Sequence, residues 1–364
     1  MNNNLSNSVD CMIRAKDGNV GKVEQFYFDD LTWIIRYMTV KAVRELPGHN
    51  YLIPVAALGK PDWEKRVIPV NCTIAQMRSS PNINSDAPIS HQHEIELQQH
   101  YAWPGYWGGN FYVPPGYETA TFPANDTESA VETPLVGMRK VDPHLRSTRD
   151  ITGCQVLAKE GNMGQVDDFV FDDETWGIRY LLVGTRNWRP NRHILVSPQW
   201  IRQVNWTDKK VFVDFSRDAI KKSPKFDPTK PVSLDYEGKL REHLKKPEVK
   251  EWIVFKFHAP PGTKIYVAGT FNNWDSTSIK LGHHGKGTYT AMILLSPGKY
   301  EYKFIVNGEW RNGPEGSEQV PNAFGTTNST LVVGHPTTHE VHPHTFARLP
   351  DSESHRLWSV AVGG

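Results

Sequence analysis

The amino-acid sequence predicts an all-β protein built from two small barrels and a C-terminal sandwich. Three observations carry that prediction: a long internal repeat, evenly spaced strand-like runs in each copy, and a different strand-rich segment over residues 250–334. The chain has 364 residues, which is enough for two or three ordinary domains. Its apolar content of 38% suits several small cores rather than one large core.

The repeat relates two segments by a constant offset. Residues 19–37 read NVGKVEQFYFDDLTWIIRY, and residues 162–180 read NMGQVDDFVFDDETWGIRY, so the offset is 162 − 19 = 143. The same offset relates many later residues. We therefore predict that residues 10–101 and 153–244 are two copies of one module and that their folds superpose.

Each copy has the pattern of a series of short strands. Gly21 and Gly164 mark a first hairpin, and two consecutive strands then follow, joined by an Asp-Asp-x-Thr turn. Turn formation explains the paired aspartates better than acid–base chemistry does. Evenly spaced short strands in a module of this size predict a small barrel. After each barrel, a polar stretch predicts a short helix capped by Ser90 or Ser233.

The run Gly-x-Val-x-x-Phe-x-Phe-Asp-Asp-x-x-Trp-x-Ile-Arg-Tyr, which begins at Gly21 and again at Gly164, resembles PRC-barrel domains. These small β-barrels occur in the photosynthetic reaction centre H subunit and in the ribosome maturation factor. The resemblance covers about half of the chain. It implies binding of an unidentified protein partner or self-association, and it brings no catalytic residue. We expect the two PRC-barrel-like domains to span residues 1–101 and 146–245.

The segment between the barrels, residues 102–145, begins WPGYWGGNFYVPPGY and then becomes acidic and polar. This composition predicts a linker. As an alternative for its aromatic start, Trp103, Tyr106 and Trp107 would pack on the first barrel. Residues 335–364 form a His-rich tail with little periodicity, which predicts a flexible end.

Within residues 250–334, two strand-like runs each lead through a turn to a tryptophan. The run KIYVA leads into GTFNNW, which ends at Trp274, and the run YEYKFIV leads through Asn307-Gly308 to Trp310. Asn-Gly between apolar runs is a strong hairpin signal.

Two tryptophans at turns, with polar residues nearby, suit carbohydrate binding. Flat amphipathic aromatics can cover the apolar faces of a pyranose ring. Lys303 and the late loop FGTTN, which ends at Asn328, offer donors and acceptors for its hydroxyls. The alternative interpretation is that both tryptophans are core residues of a β-sandwich.

The segments VAGTFNNW, YEYKFIVNGEW and FGTTNSTLVV resemble the glycogen-binding domain of AMP-activated protein kinase β subunits. That domain is one of the starch- and glycogen-binding modules also found before isoamylase and branching-enzyme catalytic domains. The resemblance implies an immunoglobulin-like sandwich that binds an α-glucan, with Phe324 in place of an aliphatic residue of the family's site. The candidate carbohydrate-binding residues are Trp274, Lys303, Trp310, Phe324, Thr326 and Asn328.

We expect no catalytic residue, cofactor or metal. The run GHHGKGT at residues 282–288 is too short between its glycines for a phosphate loop, and a hairpin connection explains it better. Cys11 and Cys154 are repeat equivalents and are predicted to be buried structural thiols. A solvated tail explains the clustered histidines better than a metal site does. These histidines are His335, His339, His342 and His344.

Composition narrows the function classes. The net charge of +1 predicts no nucleic-acid partner, and no apolar run approaches membrane-spanning length. The start MNNNLSNSVD lacks the features of a secretory signal, and three cysteines suit a reducing compartment. We therefore expect a non-enzymatic, cytoplasmic adaptor that binds glycogen, starch or maltooligosaccharides and uses its barrels for assembly. The alternative is an interaction scaffold whose sandwich docks protein rather than sugar.

Overall fold

A computed structural model describes residues 2–42, 50–80, 96–97, 100, 110–112, 144–185, 192–283, 287–313 and 318–334. Within these ranges the chain forms twenty-two strands in four sheets, joined by a few short helices. The prediction of an all-β protein is therefore confirmed.

The strands, in chain order, are β1 (Asn2–Asn4), β2 (Met12–Ala15), β3 (Gly18–Asp29), β4 (Ile35–Ala42), β5 (Asn50–Pro54), β6 (Val67–Pro69), β7 (Asn110–Tyr112), β8 (Leu145–Ser147), β9 (Gln155–Ala158), β10 (Gly161–Asp172), β11 (Ile178–Gly184), β12 (His193–Val196), β13 (Ile201–Asn205), β14 (Lys210–Val213), β15 (Glu251–His258), β16 (Ile265–Gly269), β17 (Gly282–His283), β18 (Thr288–Leu295), β19 (Gly298–Val306), β20 (Glu309–Arg311), β21 (Gln319–Pro321) and β22 (Thr327–Val333). The α-helices of the described residues are Ile74–Arg78, Thr148–Ile151, Arg217–Lys222 and Leu234–Leu244. The 3₁₀ helices are Leu5–Ser8, Val55–Ala57, Pro198–Trp200 and Thr270–Asn272.

The two barrels share one strand order, as the repeat predicts. The first sheet runs β5-β4-β3-β2-β6, and the second runs β12-β11-β10-β9-β14-β13. In both sheets the long central strand, β3 or β10, pairs antiparallel with the strands on either side. Strand β6 pairs parallel with β2, as β14 does with β9, and the second sheet adds β13 beyond β14. The side chains that face inward form one continuous apolar core across both barrels.

Each barrel also receives a strand from the start of the other copy. Strand β1 pairs antiparallel with β10 of the second barrel, and β8 pairs antiparallel with β3 of the first barrel. Strands β1 and β8 are themselves 143 residues apart (145 − 2 = 143), so the repeated unit begins at residues 2 and 145, not at 10 and 153. Sequence comparison missed this exchange because the two strands, NNN and LRS, have no residue in common.

Aromatic side chains join the barrels reciprocally. Trp63 of the first copy packs edge-on against Phe171 of the second, at 6.1 Å between ring centroids, and its indole N–H donates to Asp173 at 2.7 Å. The equivalent Trp206 of the second copy lies 6.4 Å from Phe28 of the first. The two copies therefore pack against each other through aromatic side chains that each contributes.

The first aspartate of each Asp-Asp pair shapes the predicted turn. Oδ1 of Asp29 accepts hydrogen bonds from the backbone N–H groups of Leu31 and Thr32 and from the Thr32 hydroxyl, and Asp172 makes the equivalent set in the second copy. These bonds hold the turn between the two longest strands of each barrel.

The sandwich consists of two facing sheets. One has the order β15-β18-β17 with β7 beside β18, and the other has the order β16-β19-β22-β21 with β20 beside β19. The core between the sheets includes Phe255, Val267, Ile293 and Phe304. Strand β7 falls inside the segment predicted as a linker, residues 102–145, where it pairs parallel with β18.

The sandwich packs against both barrels through its β15–β18 sheet. Trp252 contacts Ile34 and Leu294, and its indole N–H donates to the backbone oxygen of Thr32 at 3.2 Å. Glu251 forms an ion pair with Arg179 of the second barrel at 2.9 Å. The sheet that carries the candidate site is the other one.

Two smaller predictions are confirmed within the described residues. Ser233 caps the helix Leu234–Leu244 by accepting from the Tyr236 N–H, as predicted. Cys11 and Cys154 are buried free thiols, also as predicted, and so is Cys72. Ser90, the aromatic start of the linker segment and residues 335–364 lie outside the described residues. No helix in the described ranges has both the length and the apolar character needed to cross a membrane.

Candidate functional site

A groove of about 660 Å³ opens on the sheet that contains β19 and β22. It lies beside β19, where pairing with β22 ends and pairing with β20 begins, since both strands pair with the same edge of β19. The described residues that line the groove are Lys303, Trp310, Arg311, Asn312, Pro321, Asn322, Gly325, Thr326 and Thr327.

The two tryptophans singled out from the sequence lie side by side. The Trp274 and Trp310 rings are 6.3 Å apart between centroids, and their planes are inclined by 51°. Of the large apolar side chains that the structure describes, two are exposed, Trp310 at 47% and Phe324 at 90%. The interpretation of both tryptophans as core residues therefore fails for Trp310, while Trp274 is half-buried.

The turn that carries Trp274 depends on a buried amide. Asn272 accepts from the Gly269 backbone N–H at 2.9 Å and donates to the Asp275 backbone oxygen at 2.9 Å and the Ser278 hydroxyl at 3.0 Å. A side chain at Gly269 would place its Cβ 2.3 Å from the backbone oxygen of Glu301, so only glycine fits there. Strand β16 therefore ends in one defined turn.

Trp274 itself has an unusual backbone. Asn273 and Trp274 have φ values of 53° and 61°, in the left-handed region that a residue with a bulky side chain rarely adopts. The Trp274 N–H donates to the Gly269 backbone oxygen at 2.9 Å, which closes the turn. Just beyond it, hydrogen bonds from the Thr277 backbone and hydroxyl hold the pKa of the exposed Asp275 carboxyl below its ordinary value. Local bonding thus holds the indole in place despite the strain.

Trp310 is placed by the predicted hairpin. Asn307 and Gly308 have φ values of 50° and 91°, as a tight two-residue hairpin turn requires. The Asn307 side chain also accepts from the Lys264 N–H at 3.0 Å. Strand β20 returns along β19, with Trp310 opposite Ile305, and Trp310 therefore lies on the same face of the sheet as Lys303.

The loop that carries Phe324 is organised by Asn322. The Asn322 carbonyl oxygen accepts from the N–H of Phe324 at 3.0 Å, and from the N–H and hydroxyl of Thr326, each at 3.1 Å. Its amide nitrogen donates to the Thr326 hydroxyl and to Oδ1 of Asn328, each at 2.8 Å. Gly325, with φ of 74°, makes the tight bend possible. Phe324 therefore projects from a defined loop.

The remaining candidates divide into two groups. Lys303 lies in the groove and donates to the Thr326 hydroxyl at 3.2 Å, so these two residues are brought together. Asn328 is only 6% exposed. Its Nδ2 donates to Oε2 of Glu301 at 2.8 Å, and its Oδ1 accepts from Asn322. Asn328 is therefore largely buried, and its carbonyl oxygen and one N–H of its amide bond to protein groups.

Sequence reasoning missed the residues that support the site. Asn272 lies within the motif GTFNNW, and Asn322 precedes the loop FGTTN, but neither motif predicts a supporting role for these side chains. Asn312 was missed as well; it donates to Gln319 at 3.0 Å and to Thr327 at 2.7 Å. Asparagine side chains often form hydrogen bonds with nearby backbone groups in turns, and this tendency is the sequence signal for such supporting residues. Across the part of the chain that the structure describes, no group of His, Cys, Asp and Glu is arranged to hold a metal ion.

Comparison with known families matches two segments of the chain. Residues 252–339 match the family described as the glycogen recognition site of AMP-activated protein kinase. Residues 144–220 match the PRC-barrel domain. The first barrel lies outside that second match, but it shares the strand order of the second barrel.

Curated relatives match part of this chain over part of their own length. The 5'-AMP-activated protein kinase subunit beta-1 of Bos taurus is 29% identical over 106 residues, which are 29% of this chain and 37% of the relative. The chloroplastic phosphoglucan phosphatase LSF1 of Arabidopsis thaliana is 32% identical over 83 residues, 22% of this chain and 14% of the relative. The chloroplastic protein FLOURY ENDOSPERM 6 of Oryza sativa subsp. japonica is 39% identical over 54 residues, 15% of this chain and 10% of the relative.

Among solved structures, a maltogenic amylase from S. marinus aligns over 24% of this chain and 14% of its own, with 23% identity and a TM-score of 0.20. The chain spans 37% or less of the length of each curated relative described above. The two family matches identify a PRC-barrel domain at residues 144–220 and a domain at residues 252–339 that matches the glycogen recognition site of AMP-activated protein kinase.

Proposed function

We propose that this protein binds an α-linked glucan, such as glycogen, starch or a maltooligosaccharide, in the groove of its sandwich. The observation that carries the proposal is the pair of tryptophan rings 6.3 Å apart beside that groove. An indole exposed to water is ready to bury its face against the apolar side of a sugar ring. The proposed contacts involve the candidate set of Trp274, Lys303, Trp310, Phe324, Thr326 and Asn328.

The inclination of the two rings supports an α-linked chain. Successive glucose units of an α-1,4-linked chain turn relative to one another, whereas a β-1,4-linked chain is a flat ribbon. Two platforms inclined by 51° follow a chain that turns, and they cannot both lie flat against a ribbon. The geometry of Trp274 and Trp310 therefore favours glycogen or starch over a cellulose-like polymer.

The polar side of the groove supports hydroxyl recognition. A lysine ammonium group has three N–H donors, and Lys303 gives one of them to Thr326. Lys303 therefore keeps donors for sugar hydroxyls beside Trp310. The relatives agree with this choice of ligand, since one is named as a phosphoglucan phosphatase and the matched family is described by glycogen recognition.

We further propose that the protein is a non-catalytic adaptor with domains at residues 1–101, 146–245 and 250–334. The groove and the surface that contacts the barrels lie on different sheets of the sandwich. A glucan in the groove therefore leaves the barrels free to bind an unidentified protein partner. Because the two copies already cover each other, such a partner would use the outer faces of the barrels. The cytoplasmic location stays a prediction from the sequence.

A second candidate function has a specific observation in its favour. Phe324 is 90% exposed on a well-organised loop, and exposed aromatic side chains are common anchors in protein interfaces. In this alternative the sandwich docks protein instead of sugar. The protein would then be an interaction scaffold.

Co-sedimentation with polysaccharide separates the two functions. The full chain should sediment with glycogen and amylose but not with microcrystalline cellulose. Trp274→Ala/Trp310→Ala should stay in the supernatant while keeping the circular dichroism spectrum of the wild type. If wild-type protein stays in solution with glycogen, the glucan proposal fails and the scaffold is favoured.

A further inference from the structure

We propose that Tyr266, with Lys280 beside it, forms a further sugar subsite that extends the glucan site across the sheet to longer chains. This inference rests on the proposed function, because the subsite lies on the same face of the sandwich as Trp310 and Lys303. It assigns a ligand to the part of that face on the other side of β19 from Trp310. The ligand is the next units of the same α-linked chain.

The strand register places Tyr266 in one row with Trp310. Ile305 of β19 is the residue opposite both, with Tyr266 on β16 to one side and Trp310 on β20 to the other. Residues directly opposite each other in paired strands project from the same face of the sheet. Tyr266 and Trp310 therefore point to the same side, and the spacing of adjacent strands puts them about 10 Å apart.

The neighbours of Tyr266 show that its ring faces outward. Ile265 and Val267, the residues before and after it, are fully buried in the core between the two sheets. Because side chains alternate along a strand, Tyr266 projects away from that core, and it is half-buried there. Ile305, which lies between Tyr266 and Trp310, is only 6% exposed. The row thus presents two aromatic rings with a covered aliphatic side chain between them.

Lys280 adds a polar group at the end of the row. It lies opposite Tyr266 across an antiparallel bridge. The residues on either side of Lys280 are buried in the same core, so the exposed Lys280 lies on the outer face as well. An aromatic ring with a lysine beside it repeats the arrangement of Trp310 and Lys303. Such a pair offers a surface for the apolar face of a pyranose and N–H donors for its hydroxyls.

The separation of Tyr266 from Trp310 makes the subsite sensitive to chain length. About 10 Å is more than a single pyranose ring spans, so one ring cannot stack on both side chains. A short oligosaccharide on the tryptophan pair would end before it reached Tyr266, whereas a longer one would continue onto it. Tyr266 should therefore contribute to the binding of long α-glucans and not to that of short ones.

The experiment is titration calorimetry of the full chain with maltotriose and with maltoheptaose. Tyr266→Ala should weaken maltoheptaose binding about five- to tenfold, as loss of one stacking contact does, and should leave maltotriose binding within about twofold of the wild type. Tyr266→Phe keeps the ring and should bind both sugars like the wild type. Lys280→Ala removes one donor group and should weaken maltoheptaose binding by a smaller factor than Tyr266→Ala does.

A matched control comes from the second barrel. Phe212 is a half-buried ring on strand β14, and Phe212→Ala should bind both sugars like the wild type. If Tyr266→Ala does not fold, Tyr266→Leu takes its place, because it keeps side-chain bulk on β16 without a flat ring. It should show the same loss for maltoheptaose alone.

Two results would overturn the inference while wild-type binding still supports the proposed function. One is an equal loss of affinity for the two sugars, and the other is wild-type binding of maltoheptaose by folded Tyr266→Ala. If wild-type protein binds neither sugar, the proposed function itself is overturned instead.

Discussion

Trp63 and Phe171 meet edge-on across the two barrels, with 6.1 Å between their ring centroids. They belong to different copies of the repeat, so the contact joins two modules that are far apart in sequence. The equivalent pair, Trp206 and Phe28, makes the contact in the opposite direction. Together with the exchanged strands β1 and β8, these contacts join the two barrels, which share one continuous core.

The first prediction concerns this aromatic contact. Trp63→Ala should lower the free energy of unfolding by about 2–4 kcal/mol, because a large half-buried ring is lost along with its bond to Asp173. Trp63→Phe keeps a ring against Phe171 and should cost roughly half as much. Urea unfolding followed by circular dichroism measures both values. A loss below about 0.5 kcal/mol for Trp63→Ala would show that the barrels are stable independently.

The second prediction concerns the buried thiols. Burial raises the pKa of Cys72 to about 11, and burial also raises the pKa of Cys11 and Cys154. In the native state at pH 8, iodoacetamide should therefore modify the three cysteines far more slowly than in 6–8 M urea, since the thiolate is the reactive form. Mass spectrometry of the alkylated protein measures this.

The same shift sets a pH dependence of stability. When the pKa of a thiol is higher in the folded state, its contribution to stability is fully present at pH values below its unfolded-state pKa. That contribution is lost as the pH rises through the folded-state pKa. For Cys72 the loss falls between an ordinary value of 9.0 and about 11. Cys72→Ala should unfold with a smaller drop in stability over this interval than the wild type. Equal drops in both proteins would contradict the assignment.

The third prediction compares two adjacent asparagines in the Trp274 turn. Asn272→Ala removes three hydrogen bonds of a buried amide and should cost about 1–3 kcal/mol of stability. Asn273→Gly keeps the left-handed backbone that Asn273 adopts and should be close to neutral. Thermal unfolding of both variants provides the comparison. Similar losses at both positions would mean that the Asn272 amide does not hold the turn.

The sequence predicts those features that depend on short-range pattern. The Asn307-Gly308 hairpin, the aspartate turns and the Ser233 cap all follow from local chemistry that one residue and its neighbours determine. The position of Trp274 and Trp310 at turns after strand-like runs was predicted as well, whereas their pairing depends on a sheet in which β16 and β20 both pair with β19.

Long-range relationships were not predictable in the same way. Strands β1 and β8 have no identical residue that would indicate their exchange. The three-residue run Asn110–Tyr112 is too short for its pattern to predict pairing with β18. The burial of Asn328 depends on Glu301 and Asn322, which approach it only in the folded sheet. Sequence pattern identifies the residues of the site, whereas tertiary packing decides which of them face the groove.

The last prediction is the central one, that Trp310 carries glucan binding. In titration calorimetry with maltoheptaose, the full chain should bind with a dissociation constant of about micromolar to millimolar, because an open groove competes with water for every hydroxyl. Trp310→Ala should weaken binding by on the order of 1–3 kcal/mol, since it removes an aromatic platform.

Two lysines provide the internal comparison for that measurement. Lys303→Ala should lower the affinity for maltoheptaose less than Trp310→Ala does, because an exposed amine is already well hydrated. Lys256→Ala, on the opposite sheet, should bind like the wild type. Salt should have little effect because the ligand is neutral. The result predicted is therefore a large loss for Trp310→Ala and none for Lys256→Ala. Binding by folded Trp310→Ala that equals the wild type, or no heat from the wild type, would contradict the glucan site.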